Sequence, residues 1–187
     1  MDARRVGFTR MDQGTAEDYR LLAAAHERER ADVADAVLGA LLALRGHNPG
    51  YPIDRYQHSL QTASRALADG ADEEMLCVAL LHDIGDLLAP DNHSAFAAAV
   101  LRPYVSEANH WLVCHHGLFQ GYYYFHHYGA DRDARERFRG HPCFARTVDF
   151  CERWDQRAFD PRYPTRPLAH FEPMVRRLFA RPRESRV

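Results

Sequence analysis

The seven residues from Met75 to Leu81 are apolar on every side, and the chain ends that run on His82 and Asp83. A surface helix shows one apolar stripe. A segment that is apolar all round has to be enclosed, so it is expected to be a central buried helix with other elements packed about it. The pair at its end then constrains chemistry as well as fold. A carboxylate carried into such a core costs several kcal/mol unless it is paired or bound to a cation. Partners for Asp83 therefore have to arrive from elsewhere in the chain.

The flanking segments read as helices too. Thr15 caps one long helix running to Leu44, whose second half spaces Val33, Val37, Leu38, Leu41 and Leu42 three and four apart. That stripe could pack on its own domain or on a second copy, making a homodimer. After the Gly46-to-Pro52 loop, Asp54 caps a second helix to about Leu67, and Asp72-Glu73-Glu74 opens the buried third. A fourth runs from His93 to about Leu101, a fifth from Ser106 to His116, and a sixth from His141-Pro142 to about Arg157. Between the fifth and sixth lie an aromatic stretch, Phe119 to Tyr128, and a polar connector around residues 131–140. Prolines 161, 164 and 167 precede a last helix from Phe171 to Phe179. No segment alternates with the two-residue period of a strand. The expectation is one all-α domain: an N-terminal helical extension over 1–50, a metal-binding core over 51–180, and a frayed tail over 181–187.

Charge narrows the function classes. A net charge of −2 leaves no basic field for nucleic acid, and Arg176, Arg177, Arg181, Arg183 and Arg186 read as a solvated end of the chain. No run approaches a membrane span, the N-terminus lacks a secretory apolar core, and the four cysteines form no C-x-x-C pair. A cytoplasmic protein acting on a small molecule fits these features.

Histidine is over-represented, at 12 residues. His58 on the second helix, His82-Asp83 at the end of the third and Asp155 on the sixth supply imidazole and carboxylate, the donors that suit borderline divalent metals. The bland alternative is a local hydrogen-bonded pair at a helix end. The three-part pattern argues against it.

These residues, with ALLHDIGD around the pair, resemble the metal-binding signature of the HD-domain superfamily, and the fold implied is a single HD-domain helical bundle with an extra long N-terminal helix. In dinuclear members, histidines at the positions of His93 and His116 complete a second metal and the HD aspartate bridges the two. His115 competes with His116, since the local period does not separate neighbours. His116 puts the following Gly117-to-Tyr122 segment in register with the oxygenase branch.

That branch, which includes myo-inositol oxygenase and the phosphonate-cleaving HD oxygenases, is similar in the 24-residue step from His58 to His82, in the stretch from His93 to His116, and in CERWDQRAFDP with the following PLAHFEP. The resemblance implies two iron ions in a mixed-valent Fe(II)/Fe(III) pair. His58, His82, Asp83 and Asp155 would hold one, and Asp83, His93 and His116 the other, with O2 oxidising or cleaving a small hydroxylated substrate. The alternative is an HD-type phosphohydrolase using Mn, Ni, Co or Zn on a phosphate ester or nucleotide; a binding-only HD domain would have lost ligands, and all six are present. This chain departs from the phosphonate-cleaving enzymes at Gln120, where they carry a lysine, which points to a less charged substrate or an anion held elsewhere. Tyr51 and Asp54 stand in the loop where those enzymes carry a gating Tyr/Glu pair, though at different spacing. Gln120 and Tyr122 are the expected pocket contacts.

Overall fold

In the computed structural model, residues 5–183 are described, and they form an all-helical domain with no strand among them. Eight α-helices follow in order: α1 (Ala16–Ala31), α2 (Val33–Ala43), α3 (Arg55–Ala68), α4 (Glu73–Leu81), α5 (His93–Leu101), α6 (Glu107–Gln120), α7 (Phe144–Phe150) and α8 (Leu168–Phe179). Helix α4 is the axis. Every residue from Met75 to Leu81 is buried, enclosed by α3, α6 and α8. Helices α5 and α6 form an antiparallel pair, and α7 lies along α6.

Side chains set the starts of these helices. The Asp54, Asp72 and Ser106 oxygens accept from the backbone N–H three residues on, at 2.7, 2.8 and 3.3 Å. Thr15 and Asp18 form a reciprocal capping box.

The long first helix is two helices. Asp32 closes α1, its N–H turning back to the Glu29 carbonyl at 3.1 Å, while its own carbonyl accepts from Ala36 at 3.1 Å. The reason is a change of environment across one residue. Helix α2 buries Ala34, Val37, Leu38 and Leu41 against α3 and α8, whereas α1 buries no residue. The expected stripe thus packs on its own domain.

Three other boundaries move for physical reasons. Helix α6 continues through Gly117 to Gln120. That glycine does not end the helix but clears space for α5, since a Cβ there would lie 2.8 Å from Ser94 Oγ. The sixth helix is short, and its last turn, Cys151–Asp155, opens into π geometry with the Gln156 N–H on the Cys151 carbonyl at 3.0 Å. Helix α8 begins three residues earlier than the sequence pattern gives, because Pro167 already stands in an extended conformation at its cap.

At the C-terminus, Arg177 pairs with Glu73 at 2.7 Å, and Arg183 pairs with Glu74 while its N–H donates to the Pro103 carbonyl at 2.7 Å. Of the expected tail, residues 184–187, Arg186 included, lie outside the described residues. Among the described residues no helix is long and apolar enough to cross a membrane.

Candidate metal centre

Four elements converge on one buried point. Helix α3 brings His58, the end of α4 brings His82 and Asp83, α6 brings His116, and the π turn brings Asp155; each is at most 6% exposed. Helix α5 adds His93 at its first residue, half-buried at the edge. Beyond Leu81 the chain tightens, with Ile84 and Asp86 donating three residues back at 3.2 and 3.0 Å. In such tight turns side chains three apart eclipse, so Asp83 and Asp86 share a side. Gly85 has no positive φ; its service is room, because a Cβ there would sit 2.8 Å from the His93 carbonyl oxygen and 2.9 Å from its Cα.

The Asp83 carboxylate divides its two oxygens. Its Oδ2 lies 3.4 Å from His58 Nε2 and 3.3 Å from His82 Nε2. Its Oδ1 lies 3.1 Å from His116 Nε2 and 3.6 Å from His93 Nε2. On the Oδ2 side, Asp155 Oδ1 closes the group at 3.2 Å from His58 Nε2 and 3.6 Å from His82 Nε2. Three interlocking sets, His58/His82/Asp155, His82/Asp83/His116 and Asp83/Asp86/His93, each place ligand atoms within 4.8 Å of one another.

The outer nitrogens explain which way the rings present themselves. His58 Nδ1 lies 3.0 Å from the Ala158 carbonyl, His82 Nδ1 2.9 Å from that of Ala79, and His116 Nδ1 2.8 Å from that of Val113. A carbonyl only accepts, so each Nδ1 donates, and in the neutral ring each Nε2 lone pair points inward. Lone pairs and carboxylate oxygens therefore face one another, and Asp155 Oδ2 is buried without a hydrogen-bond partner. Such an acceptor-rich cluster fits a bound cation.

In the metal-free protein, protons take the cation's place. Burial opposes the charge on His58, but Asp155 and Asp83 overcome it and raise its pKa to about 9. His82 is raised in the same way against burial, by Asp83 and Asp155. Burial would raise Asp83 and Asp155; the surrounding imidazoles instead hold both well below the ordinary carboxylate range. His93 is lowered, chiefly by burial.

His115, the competitor for the fifth position, points elsewhere. Its ring stacks on Trp111 at 4.0 Å between centroids, and its Nδ1 is 2.8 Å from the Trp111 carbonyl. Gln120 reaches the cluster, its Nε2 donating to Asp155 Oδ1 at 3.1 Å while its Oε1 is buried without a partner. Tyr51 lies over Phe159 at 4.7 Å, and Phe159 stacks on His58 at 4.5 Å. Asp54 is engaged at both oxygens, by the N–H groups of Gln57 and Gly46 at 2.7 and 2.8 Å. Tyr122 lies beneath the guanidinium groups of Arg135 and Arg132, at 3.7 and 4.3 Å from its centroid.

Residues 55–153, just over half of the chain, match the HD domain family. The chain belongs to the HD domain family. Five of the six convergent residues fall inside the matched span, and Asp155 lies two residues beyond it. None of the curated proteins compared with it matches the chain.

Some neighbours of this HD-domain centre were not singled out from the sequence. Asp86 closes ALLHDIGD and stands 3.6 Å from His93 Nδ1, while Arg55 Nη1 holds its other oxygen at 2.5 Å. Burial, together with the charge on Asp83, raises the Asp86 pKa to about 7 against the pull of Arg55. A carboxylate three residues after Asp83 was the available signal. Phe159 carried none, because its place depends on the loop after Asp155.

Proposed function

We propose that this HD-domain protein is a dinuclear iron oxygenase that uses O2 to oxidise or cleave a small hydroxylated substrate. The observation that carries the reading is the split Asp83 carboxylate, with one oxygen toward His58 and His82 and the other toward His116 and His93. A carboxylate so placed suits two cations rather than one. His58, His82, Asp83 and Asp155 would hold one ion, and Asp83, His93 and His116 the other. An Fe(II)/Fe(III) pair supplies the one-electron chemistry with O2 that the protein's own side chains lack.

The side chains around the cluster suit a small hydroxylated substrate. Arg55, beside the cluster, is paired with Asp86, and the neutral amide of Gln120 lies against Asp155. A substrate hydroxyl suits Gln120 Oε1, a buried acceptor with no partner. Phe159 and Tyr51, stacked outward from His58, exclude water on that side and offer an apolar wall. Gln120→Leu would then raise KM about tenfold, the loss of one hydrogen bond, when compared at matched metal content.

The test is spectroscopic. Protein made in iron-supplemented medium and purified without oxygen is partly oxidised and examined by EPR and Mössbauer spectroscopy. A coupled Fe(II)/Fe(III) signal, with O2 uptake on a hydroxylated substrate, is the expected result. Manganese, nickel or zinc with no coupled iron signal, and turnover of a generic phosphate ester, would establish the phosphohydrolase instead.

A further inference from the structure

Two turns along α3 from the metal ligand His58, Arg65, Arg153 and Arg157 line a cleft of about 250 Å³ together with Asp69, Ala68 and Tyr163. Three guanidinium groups face one carboxylate there. Asp69 is already engaged, accepting from Arg153 at 2.8 Å and from Trp154 Nε1 at 2.7 Å through the same oxygen. Arg65 lies over the Tyr163 ring at 3.9 Å, which fixes its plane, and its buried Nε has no hydrogen-bond partner. Arg157 is exposed and, among the described residues, has neither a hydrogen bond nor an ion pair. The cleft thus combines an uncompensated charge of about +2, a buried N–H left unpaired, and fork-shaped donors suited to tetrahedral oxyanions.

We propose that this cleft is a second ligand site, for a phosphoryl oxyanion such as phosphate or a phosphate monoester. It is separate from the metal centre. Arg65 stands two helical turns along α3 from His58, about 10 Å by helix rise. A chain of contacts still joins the two. Arg65 Nη2 donates to Gln61 Oε1 at 3.4 Å, and Gln61 clasps the backbone of Asp160, donating to its carbonyl at 2.8 Å and accepting from its N–H at 3.1 Å. The same loop carries the Ala158 carbonyl that orients His58 and the Phe159 ring stacked on it. An anion drawn onto Arg65 would steady this loop and with it the metal ligand. The inference does not depend on the oxygenase reading.

The experiment is an NMR titration of the metal-loaded full chain with inorganic phosphate at fixed ionic strength, following the arginine Nε–Hε signals and the Gln61 side-chain amide; a diamagnetic metal such as zinc keeps the signals sharp. Saturable shifts of Arg65, Arg153 and Arg157 with one common Kd are expected, and Gln61 follows the same curve. Arg157→Ala, which breaks no contact of the fold, weakens that Kd at least tenfold, and Arg157→Lys recovers part of it. Shifts that never saturate, or that match those produced by chloride, overturn the site. A Kd unchanged in Arg157→Ala does so too, since phosphate is then binding elsewhere. A Gln61 signal that stays fixed while the arginines saturate overturns the link to His58.

Discussion

Asp83 sends one oxygen to each group of imidazoles, so its loss is expected to empty the whole centre rather than half of it. Asp83→Ala should lower bound metal from about two ions per chain to well under one, while circular dichroism stays helical; metal analysis of the purified variant checks this, and retention of full metal content would contradict it. The imidazoles set a pH dependence. In the metal-free protein His58 holds its proton to about 9, against an ordinary 6.5, because Asp155 and Asp83 outweigh its burial. That proton competes with a cation, so metal affinity should rise with pH up to about 9, and uptake at pH 7 should release protons. Calorimetry in buffers of different ionisation enthalpy reads the release directly, and an apparent enthalpy independent of buffer would count against it. The same sign governs the metal-free fold. A raised histidine pKa stabilises below about 6.5 and loses that contribution as pH climbs through about 9.

The approach of α5 to the turn after α4 depends on a missing Cβ. In Gly85→Ala the new carbon would meet the His93 carbonyl oxygen at 2.8 Å, so α5 has to move and take His93 with it. The expected outcome is selective, with bound metal falling toward one ion and a lower Tm. Gly39→Ala is the contrast. It lies inside α2 with nothing within 4 Å of a new Cβ, and should stabilise by about 0.5–1 kcal/mol. Chemical denaturation of both variants separates the cases, and equal effects would show that the close approach at Gly85 does not matter. The same elements show what was legible in the sequence. His93–Leu101 could be read because the Pro90-Asp91-Asn92 turn precedes it and the run that follows is rich in alanine. The break at Asp32 could not, since it depends on α2 finding α3 and α8 to pack on while α1 finds nothing. Gly117 reads as a stop in one dimension and is a point of close packing in three.

At the scale of the whole molecule, one enclosed helix organises the rest. An all-apolar α4 requires neighbours on every side, and the helices that supply them, α3 and α6, also carry His58 and His116 to its end. That is why the fold class could be read from chain order and spacing, and with it the pattern of His58, His82-Asp83 and Asp155; His93 and His116 came from the resemblance to dinuclear HD proteins, since spacing does not separate His116 from His115. The outward wall of Tyr51 and Phe159, the Arg55–Asp86 pair and the contact of Gln120 with Asp155 belong to loops and side-chain reach, which spacing does not encode. Because the cluster presents buried acceptors to one another, chelation should lower Tm by several degrees, more at pH 9 than at pH 6, where protons can replace the cation. The most direct test of a two-cation centre bridged by Asp83 is metal stoichiometry in the wild type beside His93→Ala, both purified without oxygen. The account predicts about two ions per chain falling to about one, with the ion at His58, His82 and Asp155 retained; one ion in both proteins would contradict it.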